Sequence, residues 1–138
     1  MYLSSHLAFD GTCDEAMNFY ANLFEGKVNF KMTWGESPMS SQVDADFQDK
    51  IMHMSITVGQ TSIMGADSPK GRHKTAQGIV ESITDSDLAK AENIFKALSE
   101  GGSVQMAFAE TFWAKGFGMC TDRFGIPWMV NCEKAMNQ

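Results

Sequence analysis

Cysteine is scarce in this chain of 138 residues. Cys13, Cys120 and Cys132 are odd in number and widely spaced, which is no disulfide framework, and no CxxC pair points to structural zinc. That usage fits reduced thiols in a cytoplasmic protein. No apolar run approaches the roughly 20 residues of a membrane span. The opening MYLSSHLAFD lacks both a charged n-region and an apolar h-region, so no signal peptide is expected. Basic charge is also in short supply. Eleven Lys and Arg against 17 Asp and Glu leave a net charge of −6, which argues against nucleic acid as a partner. What is present is ordinary for one globular domain: 43% hydrophobic and 20% charged residues. A domain of this size buries roughly two-thirds of its unfolded surface, enough to fold without a disulfide or a metal. Eleven methionines are many for the length. They read as soft core filler or as an adaptable pocket lining.

The chain repeats itself. AMNFYANLFEG (16–26) set against AENIFKALSEG (91–101) has identical residues at Ala16/Ala91, Asn18/Asn93, Leu23/Leu98, Glu25/Glu100 and Gly26/Gly101, a constant offset. Met17, Tyr20, Leu23 and Phe24, like Ile94, Phe95 and Leu98, fall at helical spacing and give each helix one apolar stripe. Thr12 with Glu15 has the pattern of a capping box. Gly26 and Gly101 stand where a helix would stop. Strand-like runs surround each helix: His6–Phe9, Val28–Trp34, Ile51–Val58 and Thr61–Gly65 in the first half, then Gly78–Thr84, Val104–Trp113, Phe117–Thr121 and Ile126–Cys132. Each half therefore reads β-α-β-β-β. The predicted class is α+β. A first module of about residues 1–68 and a linker at 69–77 precede a second module of about 78–138. The basic stretch Ser68–Lys74 reads as a solvated connector or as a lid over an anion.

Helices separated by antiparallel strands imply two curved mixed sheets, each with a helix layer outside and a cleft between them. In IMHMSITV, Met52, Met54, Ile56 and Val58 share the face expected under the helix. His53, Ser55 and Thr57 share the other, because three polar groups under a helix would need partners. On the first strand His6 and Ala8 likewise point inward. His6 and His53 are thus expected on one concave surface, across neighbouring strands. With Glu110 they form a minimal donor set for a divalent metal (zinc, nickel, manganese or iron), while isolated strand histidines more often serve as hydrogen-bonded structural residues. Cys13, at the start of the first helix, is placed where a helix dipole could activate a thiol. An idle buried thiol is the expected state.

The stretch from Glu110 to Asn131, ETFWAKGFGMCTDRFGIPWMVN, packs Phe112, Trp113, Phe117, Phe124 and Trp128 around glycines with almost no aliphatic filler. Together with LAFDGTCDEAMNFYANLF (7–24), IMGADS (63–68) and the duplicated unit, it resembles the vicinal oxygen chelate superfamily of glyoxalases, extradiol dioxygenases and bleomycin-binding proteins. Within that group it is similar to the PhnB-like branch, often labelled 3-demethylubiquinone methyltransferase-like. The resemblance implies metal ligands on the first and fourth strands of each module. Those positions match His6, Met64, a residue near Ile79, and Met129, and three of the four do not suit a hard divalent ion.

Two functions follow as expectations. One is a lyase-, isomerase- or dioxygenase-type enzyme acting on a small oxygenated or aromatic metabolite, with metal at a non-standard site. Its catalytic residues would be His53 and Glu110, with His6, His53 and Glu110 as metal ligands. The other is a resistance-type binding protein without chemistry. Either way the ligand-binding residues expected are His6, Ser55, Met64, Trp113 and Met129. Trp128, on the opposite parity to Met129, is expected in the core. A lone GxG at 116–118 flanked by strands is no S-adenosylmethionine loop, so methyl transfer is not expected. The superfamily resemblance also implies a homodimer.

Overall fold

The period-two alternation of IMHMSITV folds as a strand with the bounds Ile51–Val58 expected of it. A computed structural model describes residues 1–135 of the chain. The elements in order are β1 (Ser5–Phe9), α1 (Cys13–Leu23), β2 (Lys27–Thr33), β3 (Ile51–Val58), β4 (Thr61–Asp67), β5 (Glu81–Thr84), α2 (Leu88–Ser99), β6 (Ser103–Ala109), β7 (Ala114–Thr121) and β8 (Pro127–Glu133). They form two four-stranded mixed sheets, ordered β1-β4-β3-β2 and β5-β8-β7-β6. In each, the first strand runs parallel to the last and the other pairings are antiparallel. The fold is α+β, built of two tandem β-α-β-β-β modules. Its contacts divide it into a unit at Met1–Lys74 and a second from Thr75 onward.

In the first unit α1 buries Cys13, Ala16, Met17, Tyr20 and Ala21. Phe9, Met54 and Ile56 of the sheet are fully buried with them. Each such large apolar side chain contributes about 1.5–3 kcal/mol of transfer free energy. Of the expected set Met52, Met54, Ile56 and Val58, Met54 and Ile56 are buried, Met52 and Val58 only partly so, and Ile51 is buried in addition. Thr33 pairs with Ile51 but Met32 with His53, so Met52 is an extra residue in the ladder, and this irregularity turns Ile51 to the buried face. In the second unit α2 buries Ala91, Ile94, Phe95 and Leu98. Trp128, Val130 and Cys132 of β8 are buried on alternate positions, Trp128 as core in the way parity predicts.

The helix ends depart from the sequence pattern. Thr12 makes no side-chain cap on α1. The Cys13 N–H donates instead to Asp67 Oδ1 at 3.0 Å, while Asp67 Oδ2 accepts from Ile51 N–H at 2.8 Å. This buried carboxylate ties the start of α1 to the ends of β3 and β4. On α2, Asp87 caps the Lys90 N–H at 3.2 Å. The first helix stop is displaced by one, to Glu25, while the second falls at Gly101 as expected. The left-handed backbone falls at Glu25 (φ 57°) and at Gly101 (φ 76°). A Cβ on Gly26 would meet the Thr57 carbonyl oxygen at 2.1 Å, and one on Gly102 the Thr121 carbonyl oxygen at 2.0 Å. Helix α2 is one residue longer, 12 against 11, so Gly26 corresponds in role to Gly102.

Strand β6 ends at Ala109, short of the expected Trp113. The Thr111 hydroxyl accepts from the Trp113 and Ala114 N–H groups at 3.3 and 3.0 Å and closes a turn there. Ile79 precedes β5, which begins at Glu81.

Candidate ligand-binding faces

Each sheet has one face under its helix and one face without a helix; the strand candidates His6, His53, Ser55, Met64 and Met129 stand on the latter, while Glu110 and Trp113 lie in the turn between β6 and β7. On the first sheet the register sets His6 beside Met64, Met64 beside Ser55, and Ser55 beside Phe30. His53 pairs with Met32 and lies two residues from Ser55, on the same side of the strand. The His6 and His53 rings stack at 6.4 Å with 22° between planes, and Phe30 leans on His53 at 5.7 Å. The expected meeting of the two histidines does occur, but strand β4 runs between β1 and β3, so they are not on adjacent strands. His6 is exposed; His53, Ser55 and Met64 are half-buried.

The second sheet carries the corresponding row Ser82, Met129, Met119, Met106. Asn131 follows two residues after Met129, between Thr84 and Phe117. Its amide oxygen is buried without a hydrogen-bond partner. Sequence parity placed Asn131 on the Met129 side but gave no sign of that unpaired acceptor. Trp113 packs edge-on to Phe117 at 5.4 Å and to Phe112 at 4.8 Å, forming an aromatic cluster whose Phe112 is 89% exposed. Glu110 pairs with Lys134 at 3.1 Å.

The glycines of β7 do not wall a pocket. A Cβ on Gly116 would meet Phe108 at 2.3 Å, and one on Gly118 would meet Phe95 at 2.7 Å. Both glycines make room for aromatic rings on the helix side of the sheet, and Phe117 and Met119 between them face the other way. GFG is therefore a packing device and not a nucleotide loop.

The donors present do not fit the metal site that the superfamily resemblance implies. At the paired first- and fourth-strand positions stand His6 with Met64, and Ser82 with Met129. A thioether is a soft ligand and a serine hydroxyl a weak one for a hard divalent ion. Among the described residues no three His, Cys, Asp or Glu side chains group together as a metal-holding set. Cys13 is no activated nucleophile either. Burial, and after it the neighbouring Asp67 and Asp14 carboxylates, pushes its thiol well above the ordinary range.

A family model described as 3-demethylubiquinone-9 3-methyltransferase matches residues 2–131. The chain belongs to that family, the PhnB-like branch of the vicinal oxygen chelate superfamily. It is 32% identical to protein YjdN of Escherichia coli over 142 residues, covering 97% of both chains. A crystal structure of protein PA1353 from Pseudomonas aeruginosa is 40% identical with a TM-score of 0.88, covering 98% of this chain and 99% of that one. The fold likeness extends to a glyoxylase/bleomycin resistance protein/dioxygenase domain from Frankia, at 11% identity and a TM-score of 0.67, over 97% of this chain and 98% of that one. No helix among the described residues is long and apolar enough to cross a membrane.

Proposed function

We propose that this PhnB-like protein binds a small, largely apolar oxygenated or aromatic metabolite on the helix-free faces of its sheets, without metal-assisted chemistry. The observation that carries the reading is the methionine at both fourth-strand positions, Met64 and Met129, where a metal enzyme of the superfamily would need hard donors. Met64 supplies adaptable apolar surface on the first unit, and Met129 and Trp113 supply it on the second. The polar groups that orient a ligand are His6, His53 and Ser55 on the face of the first unit, and the unpaired Asn131 oxygen on that of the second. Methyl transfer from S-adenosylmethionine is no part of this reading, since the spaces beside Gly116 and Gly118 belong to Phe108 and Phe95.

The stacked His6–His53 pair supports a second reading, in which His53 works as an acid–base group or shares a divalent ion with His6. Glu110, on the second unit, is engaged in its ion pair with Lys134. A thermal-shift screen with zinc, nickel, manganese and iron alone, and with a panel of apolar and aromatic metabolites, separates the two. We expect shifts from organic compounds, reduced in Met64→Glu and Ser55→Asp variants. One metal ion retained per chain after dialysis, and lost in the His6→Ala/His53→Ala double variant, would refute the binding reading. Pairing of two chains into a homodimer is expected and is read by light scattering.

A further inference from the structure

The first unit contains a cavity of about 430 Å³ built from different residues than the histidine face. It lies in the long insert between β2 and β3, which folds as two 3-10 turns, Ser40–Gln42 and Ala45–Phe47. The insert is pre-organised by its own hydrogen bonds. The Gln48 side-chain amide donates to the Ser40 and Val43 carbonyls at 2.8 and 3.0 Å, and the Trp34 and Gly35 N–H groups bond Lys50 and Gln48 carbonyls at 2.8 Å each. Trp34 and Phe47, with ring centroids 6.2 Å apart, supply aromatic wall, and Met39 and Val43 supply aliphatic wall.

The basic segment that follows β4 closes over it. Lys70 bonds Asp46 at 2.8 Å and lies 3.9 Å from Asp44, which fastens the turn at Pro69–Arg72 to the insert. Lys70 is thereby spent on carboxylates of the protein. Arg72, which also lines the cavity, has no ion-pair partner among the described residues. A guanidinium with five donors at the edge of an aromatic slot matches a carboxylate carried on a flat ring.

We propose that this cavity is a second binding site, taking a small aromatic carboxylate whose ring packs against the wall of Trp34, Phe47 and Val43 and whose carboxylate meets Arg72. The cavity volume falls within the range of small-molecule sites, about 300–1,000 Å³. Asp44 does not make it a site for amines, because Lys70 already faces that carboxylate.

The test uses the full chain with 2-naphthoate as probe, read by nitrogen–proton correlation spectra. The Trp34 indole N–H, buried without an acceptor, is a reporter resonance that Trp34→Phe assigns. The expected result is saturable movement of that peak and of the Phe47 and Arg72 amides, with neutral 2-naphthamide and 2-naphthylmethylamine binding at least about tenfold more weakly. Arg72→Gln should weaken 2-naphthoate by a similar factor. Val43→Trp, which fills the cavity without touching the charge, should abolish binding while leaving the remaining spectrum folded. His53→Ala should leave 2-naphthoate affinity unchanged, so this site and the sheet-face reading can fail separately. Absence of saturation into the millimolar range would overturn the proposal. So would equal binding of the amine or the amide, or indifference to both Arg72→Gln and Val43→Trp.

Discussion

Replacing Asp67 by alanine tests whether a single buried carboxylate holds the first unit together. Asp67 is 2% exposed, and its two oxygens take the N–H groups of Cys13 and Ile51 at 3.0 and 2.8 Å. Asp67→Ala deprives both donors of an acceptor in a place water does not reach. Each orphaned buried donor costs about 1–3 kcal/mol, a gross loss of about 2–6. Relief of the carboxylate's own desolvation offsets part of this, leaving an expected net loss of about 2–4 kcal/mol. At a urea m-value near 1.5 kcal/mol/M that lowers the unfolding midpoint by about 1.3–2.7 M. Asp67→Asn keeps one acceptor oxygen and turns an NH₂ towards the other donor, so its loss should be about half as large. Urea unfolding followed by circular dichroism measures both variants, and native-state hydrogen exchange at the Cys13 and Ile51 amides localises the effect. A loss below about 0.5 kcal/mol for the alanine variant would show that other acceptors take over, and the reasoning would fail. Equal losses for both variants would show that the charge, not the pair of hydrogen bonds, carries the effect.

Two further outcomes are expected. Gly26→Ala sets a Cβ 2.1 Å from the Thr57 carbonyl oxygen and should cost on the order of 3 kcal/mol or more, whereas Gly59→Ala has open space and only a left-handed backbone (φ 58°) to strain, about 1 kcal/mol. Equal melting shifts for the two would count against the close approach. Burial holds the Cys13 and Cys120 thiols above their ordinary value, so both should resist a thiol reagent at pH 8 until the protein is unfolded. Because these folded-state pKa values are raised, the stability they support is complete below the unfolded thiol pKa of about 8.5 and falls as pH rises beyond it. Rapid labelling of Cys13 in the native protein would contradict its burial.

Much of the fold was legible because it rests on local periodicity. Ile51–Val58 alternates with period two, and Met17, Tyr20, Ile94, Phe95 and Leu98 recur at helical spacing, so strand and helix each follow from which residues must leave water. The parity of IPWMVN likewise separated buried Trp128 from Met129. The errors lie where a contact distant in sequence overrides a local pattern. Thr12 looked like the cap of α1, but Asp67, 54 residues beyond Cys13, supplies the oxygen. Asp67 shows itself only as a charge in an otherwise apolar run. Gly26 looked like a helix stop, but the nearness of the Thr57 carbonyl requires it. The extra residue of α2 hid the equivalence of Gly26 and Gly102 from an ungapped comparison.

The candidate sites divide in the same way. That His6, His53, Ser55, Met64 and Met129 stand on helix-free faces was set by alternation within each strand, a property of the sequence alone. That β4 lies between the two histidine-bearing strands, and that Ser82 accompanies Met129, depended on strand order and register, which no single strand encodes. The sequence offered the basic stretch Ser68–Lys74 as a connector or as a lid over an anion, but gave no sign of the cavity over Trp34 and Phe47. Its wall spans residues from Trp34 to Arg72, and only the tertiary fold brings the basic segment after β4 against the insert before β3. Local patterns decide which side chains leave water; long-range pairing decides which of them meet.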